Sequence, residues 1–126
     1  MIVVDIEQGK EIASAELLAE PGGLLVAPSG VVAVALPASS QVQLLFDGKS
    51  LSSTCAVATA AEPVALALTP DAQTLLVASA WGHTLGAYRS STLSELYRLE
   101  LQHGPRAVIV GDDGRHAFIS HGFGGC

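Results

Sequence analysis

The stretch Pro105–Gly122, "PRAVIVGDDGRHAFISHG", is echoed from Pro63 by "PVALALTPDAQTLLVASA" and from Pro21 by "PGGLLVAPSGVVAVALPA". Pro21, Pro63 and Pro105 stand 42 residues apart, and the same shift lays Leu24 on Leu66 and Val108, then Val26 on Leu68 and Val110. The turn tripeptides "PSG" from 28, "PDA" from 70 and "DDG" from 112 keep step, as do Glu20, Glu62 and Gly104, and Val4, Phe46 and Tyr88. On this reading the register runs without a gap. The 126 residues then make three periods, laid out as half a unit, two whole units and half a unit. Self-similarity at a fixed period constrains the fold before any motif does.

A period in the low forties belongs either to paired helices or to four-stranded blades. Each unit opens with a short branched run, "GGLLVAP", "VALALTP" or "RAVIVGD", that ends at a turn signal. A second run follows, "VVAVAL", "TLLVAS" or "HAFIS", and four to six residues is strand length. "STLSELYRLELQ" has partial helical spacing at Leu93, Leu96, Tyr97 and Leu101, but its counterparts are rich in Ser, Thr and Ala, so it reads as two strand pieces. The first run of a unit is apolar on both faces (Ala65, Leu66, Ala67, Leu68). The last mixes Glu95, Arg98 and Glu100 with Leu96 and Leu99. Order along the unit therefore maps onto distance from a central axis. Crowding at that axis suits the small residues at 22, 23, 65, 67 and 107. The expectation is an all-β chain of antiparallel four-stranded blades.

Composition narrows the roles open to such a chain. Nearly half the residues are apolar (49%), enough for a packed core in one domain. Six basic residues against twelve acidic ones, with no Lys/Arg cluster, argue against nucleic acid as a partner. "MIVVDIEQGK" carries Asp5 and Glu7 where a secretory signal would be basic, and no run approaches the roughly 18 apolar residues of a membrane span. Cys55 and Cys126 form no CxxC or Cys/His ladder, so neither zinc nor attached haem has a sequence basis. There is no GxSxG elbow, and "GFGG" from 122 lacks the GxGxxG spacing; no motif implies a cofactor or a catalytic residue.

The units "PVALALTPDAQTLLVASAWGHTLGAY" and "PRAVIVGDDGRHAFISHG" resemble the YVTN-type repeats of lactonase-like β-propellers: a proline, an apolar strand, a Pro-Asp-Gly turn and a strand ending in Val-x-Asn. The family Asn is replaced here by Pro37, Ser79 and His121. The resemblance implies a β-propeller of WD40-like blades with strands A to D running outward from the axis, and a bacterial protein on either side of the inner membrane. The chain then reads as one partial-propeller domain over 1–126: strands C and D in 1–20, blades in 21–62 and 63–104, and strands A and B in 105–126. Three blades do not close a ring of the usual four to eight. Either this is part of a longer propeller, or two copies share blades in a six-bladed homodimer.

The same arrangement puts the A–B turns on one face and the B–C and D–A loops on the other. The latter gather Trp81, His83, His121 and Phe123 with Glu20, Glu62, His103 and Arg106. Of these, Trp81, His83, Arg106, His121, Glu62 and His103 are the candidate ligand-binding residues. They also read as ordinary loop positions, with His121 standing in for the family Asn as a local cap. Because His83, His103, His116 and His121 do not recur at 42, no metal site is expected. Two functions remain open: a non-catalytic scaffold for a protein or small ligand at the loop face, and a lactonase-like hydrolase or propeller part of a redox enzyme with a polar site at the axial mouth.

Overall fold

The computed structural model describes residues 1–47 and 51–121, and every regular element except one turn is a strand. β1 (Ile2–Asp5) and β2 (Lys10–Ser14) form a two-stranded sheet. β3 (Leu24–Val26), β4 (Val32–Leu36), β5 (Gln41–Asp47) and β6 (Leu51–Ala58) form a four-stranded sheet in sequence order, the first blade. β7 (Pro63–Leu68), β8 (Thr74–Ser79), β9 (Thr84–Arg89) and β10 (Glu95–Glu100) repeat it as the second blade. β11 (Pro105–Val110) and β12 (Ala117–His121) form another two-stranded sheet. All pairings are antiparallel. The fold is a partial β-propeller: half a blade, two blades, half a blade. Among the described residues, no helix is long and apolar enough to cross a membrane.

The core lies between the sheets, and the alternation of side chains along strand B decides which neighbour each residue meets. On β8, Leu75 and Val77 face the first blade and pack with Ala33, Val42 and Leu44, while Leu76 and Ala78 face β11 and pack with Val108. On β4, Val32, Val34 and Leu36 face the opening half-blade and pack with Met1, Ala15 and Leu17. A strand apolar on both faces needs cover on both, and stacked wedges provide it. Near the axis the fit is tight: a Cβ on Gly23 would stand 2.9 Å from the Val64 carbonyl oxygen, too close for any side chain. Tyr88 is buried in the layer between the two blades, and that burial, followed by the nearby Glu95 charge, pushes its phenol pKa up.

Three sequence expectations need correction. The repeat is not gap-free. The backbone bonds that close the A–B turns join Ala27 to Val31, Thr69 to Thr74 and Gly111 to His116, so the first turn is one residue short. Strand B and C positions of the first blade therefore match those of the second at a shift of 43, Leu36 with Ser79 and Gln41 with Thr84. The longer C–D hairpin of the first blade restores 42, because Ala58 opposes Gln41 as Glu100 opposes Thr84. A β-bulge recurs in this hairpin, at Val3/Val4, at Leu44/Leu45 and beside Ala87 and Tyr88, so the structural partner of Val4 and Tyr88 is Leu45 and not Phe46.

Next, "STLSELYRLELQ" is a turn followed by the single strand β10, not two strand pieces; Leu93 turns into the core at positive φ and ends the turn before the strand begins. β10 is exposed along its whole length, as the outermost strand of a wedge has no neighbour deep enough to cover it. Finally, Pro63 and Pro105 are buried at the first position of strand A, where a missing N–H costs nothing, but Pro21 is exposed and precedes β3.

Two of the three A–B turns, those that follow β7 and β11, are held by an acidic residue. Asp71 accepts hydrogen bonds from the Thr69 hydroxyl (2.6 Å) and the Gln73 N–H (3.0 Å). Asp113, one repeat later, accepts from the Arg115 N–H (2.9 Å) and is paired with His116 (2.6 Å). These bonds hold both carboxyls below their ordinary value of 3.8. A carboxyl that ionises more readily in the folded chain adds stability above that ordinary value, and the gain disappears as pH falls through the folded one. We expect a small acid-limb loss in thermal unfolding below about pH 4, reduced in an Asp71→Asn, Asp113→Asn variant; an unchanged acid limb would show that these turns do not contribute.

Candidate binding site on the loop face

Three separate segments meet at one face of the second blade. The connector that leads into β7 accepts two bonds from the B–C loop of the second blade: Ala80 N–H donates to the Glu62 carbonyl (2.8 Å) and Gly82 N–H to that of Ala61 (3.0 Å). The loop closes on itself through His83 N–H to the Ala80 carbonyl (3.3 Å). Leu101, on the connector into β11, donates to the His83 carbonyl (2.7 Å). Close approach of that connector depends on Gly104, since a Cβ there would lie 2.7 Å from the Ala80 oxygen. Sequence neighbours of these anchors then project around a common space. The positive φ of His83 belongs to the loop type, because Ser40 at the matching place of the first blade has it too.

The result is a cavity of about 400 Å³ lined by Glu62, Ala80, Trp81, His83, His103, Gly104 and Arg106. Five of the six candidate residues line it. The sixth, His121, stands beside it: its Nδ1 donates to the His103 carbonyl (3.1 Å), and the two rings meet edge to face with centroids 5.9 Å apart. A carbonyl can only accept, so Nδ1 carries the proton and Nε2 is left to solvent. This bond ties the end of strand B to the connector that leads into strand A of the same sheet, the local capping task considered for a residue replacing the family Asn. Glu20 is exposed but does not line the cavity. Phe123, like Cys126, lies outside the described residues, and the side chain of Cys55 is not described.

Chemically the cavity combines an exposed indole, a fixed positive charge, two imidazoles and one carboxylate. Trp81 is 78% exposed, far above what a packed tryptophan shows. Arg106 has no ion-pair partner among the described residues, so its guanidinium is available for a carboxylate. Among the described residues, no three His, Cys, Asp or Glu side chains are placed to hold a metal ion. Likewise among them, no hydroxyl or thiol is hydrogen-bonded to a histidine ring as an activated nucleophile would be.

Sequence reasoning missed a second concavity on the opposite face. An apolar cleft of about 310 Å³ lies between the two blades, lined by Leu25, Val31, Leu68, Leu75 and Leu93 among others, with the serines 29, 90 and 91 at its edge. It sits where the short Pro28–Gly30 turn faces the longer turn of the second blade. The missing counterpart of Gln73 was the available signal, hidden by a gap-free alignment.

No protein-family model matches the chain, and no curated protein matches it in sequence. Solved structures do match in fold. The chain is similar to the hydrazine synthase of Kuenenia stuttgartiensis (TM-score 0.77, 21% identity, 90% of this chain and 32% of that one). It is also similar to Sqt1 of Saccharomyces cerevisiae (TM-score 0.80, 12% identity, 95% and 37%). A functionally unknown protein from Desulfotomaculum acetoxidans matches as well (TM-score 0.73, 8% identity, 82% and 34%). The chain thus spans about a third of each of these structures. At such identities the likeness is one of propeller fold. A YVTN or lactonase-like membership has no family match behind it.

Proposed function

We propose that the chain is a non-catalytic binding scaffold, a single partial-propeller domain over 1–126 with the blade boundaries read from the sequence, whose loop face recognises a group pairing an apolar surface with a carboxylate. The observation that carries this reading is convergence: Glu62, Trp81, His83, His103 and Arg106 come from three segments yet line one cavity. Trp and Arg are the residue types on which recognition surfaces concentrate their binding energy. Loops set on a rigid strand scaffold are the arrangement on which binding residues are usually hung.

Benzoate is a suitable probe, with a ring for Trp81 and a carboxylate for Arg106. Trp81 is the sole tryptophan, so its emission reports directly on the site. Saturable quenching by benzoate is expected, weakened about tenfold by Arg106→Ala, the cost of one charge-assisted bond, with thermal stability unchanged. Unsaturable quenching that ignores Arg106→Ala would sink the proposal.

The alternative is a lactonase-like hydrolase or the propeller part of a redox enzyme. Likeness to hydrazine synthase keeps the redox version in view. An enzyme needs a polar pair within reach of one reacting atom. Turnover of a simple γ-lactone that disappears in both His83→Ala and His103→Ala would favour the hydrolase over the scaffold.

A further inference from the structure

The apolar cleft opposite the loop face lies between the two four-stranded sheets, away from β1–β2 and β11–β12, so a full blade stands on either side of it. Its floor is Leu75 and Leu93, 3% and 5% exposed, and its sides are the half-buried Leu25, Val31 and Leu68. Among the described residues, none that lines it carries a charge or a titratable group.

The space follows from the unequal A–B turns. In the second blade the carbonyl of the extra residue, Gln73, accepts a bond from the Ser90 N–H (2.9 Å), and the Ser90 hydroxyl donates to the Ala72 carbonyl (2.5 Å). The C–D turn is pinned there, and Leu93 is folded beneath it by the bond from its N–H to the Arg89 carbonyl (2.7 Å). The first blade turns one residue sooner, with Ala27 N–H donating to the Val31 carbonyl (2.8 Å) and Gly30 N–H to that of Ala27 (2.9 Å). It has no counterpart of Gln73 to fill the gap, and a hollow of about 310 Å³ opens between the two turns. Backbone bonds hold both rims, so the hollow exists before any ligand arrives. Left empty, its lining lacks the dispersion contacts that a fitting molecule would restore.

We propose that this cleft binds one small neutral apolar molecule that carries a single N–H or O–H. Size argues for a small molecule: the volume falls at the lower end of the range of roughly 300–1,000 Å³ typical of such sites. One turn of a helix, about 10 Å across and about 5.4 Å long, would overfill it. Charge argues for neutrality, because an ion among these leucines would lose its hydration and gain no counter-ion. The donor is set by Ser90, whose hydroxyl gives its proton to Ala72 and keeps its oxygen free to accept. The two concavities then select opposite chemistries, since the loop face offers the Arg106 cation and this cleft offers none.

Titration of the purified chain with N-phenyl-1-naphthylamine, a neutral amine with one N–H that brightens in apolar surroundings, tests this. Emission should rise to saturation at one molecule per chain. Ala27→Phe, which fills the cleft from its wall, should weaken binding about tenfold or more with the far-UV circular dichroism unchanged. Phe118→Asp, on the exposed face of β12, should leave binding as it was, and excess benzoate should not displace the probe. Absence of a saturable rise overturns the proposal, as does binding that survives in a folded Ala27→Phe, is lost in Phe118→Asp or is displaced by benzoate. If Ala27→Phe does not fold, Ser91→Phe at the exposed mouth of the cleft is read in the same way. The charge argument has its own probe. The anion 1-anilinonaphthalene-8-sulfonate has the same rings plus a sulfonate, and it should compete about tenfold more weakly or worse; equal competition overturns the selection for neutral ligands.

Discussion

Leu76→Asp is expected to leave the chain unfolded, whereas Phe118→Asp leaves the fold intact, although the two residues hold the same place in successive repeats. Leu76 is 5% exposed on β8, packed against Val108 and Ala117 of the following half-blade. Removing its side chain forfeits about 2–3 kcal/mol of apolar burial. Placing a carboxylate there adds a desolvation cost among the apolar side chains of that layer, offset only as far as Arg115 and His116, which line the same concavity as Leu76, can reach it. A domain of this size has a total stability of about 5–15 kcal/mol, so the two costs together consume most or all of it. Phe118 is 61% exposed on β12, with no sheet packed over it among the described residues. A carboxylate at 118 stays in water and costs the monomer little. Circular dichroism at 25 °C should show strand signal for Phe118→Asp and none for Leu76→Asp. A folded Leu76→Asp would mean that the space between the second blade and β11–β12 is not a dry core, and the wedge stacking would fail with it.

That contrast also marks the limit of what could be read from residues alone. Strand starts at Pro63, Thr74 and Thr84 follow from the period and from turn chemistry, both local properties, and the structure places β7, β8 and β9 there. The grouping of B–C and D–A loops on one face follows from alternating strand direction, which is why five of six candidate residues line a single cavity. Loop length was harder. A one-residue shortfall at the Pro28–Gly30 turn and its compensation in the C–D hairpin cancel over the unit, so a fixed shift of 42 still aligns strand A and hides the offset in strand C. Only hydrogen-bond partners reveal that Leu45, and not Phe46, answers Tyr88. The bond from His121 to the His103 carbonyl was equally out of reach, since it depends on how closely the connector into β11 approaches the end of β12.

Gly104→Val should damage both the stability of the second blade and the loop-face cavity. The added Cβ would stand 2.7 Å from the Ala80 carbonyl oxygen, nearer than side-chain carbons approach backbone oxygens. Neither side can yield freely. Ala80 is held by its N–H bond to Glu62 (2.8 Å), and the connector by the bond from Leu101 to His83 (2.7 Å). Overpacking of this kind costs about 1–3 kcal/mol, a fall of several degrees in Tm for a domain of this length. Its functional effect follows from position: His103 precedes Gly104 and Arg106 follows two residues later, so relief of the clash moves both away from Trp81 and His83. Binding of a carboxylate probe should weaken more than tenfold, about 1.4 kcal/mol or more, together with the drop in Tm. Trp81→Ala gives the comparison, because it removes an exposed ring without touching any backbone bond; it should abolish recognition of an aromatic carboxylate, followed by calorimetry in the absence of the indole, at unchanged Tm. If Gly104→Val kept wild-type stability and affinity, the two loops would not be locked against each other, and the cavity between them would be too loosely built to select a ligand.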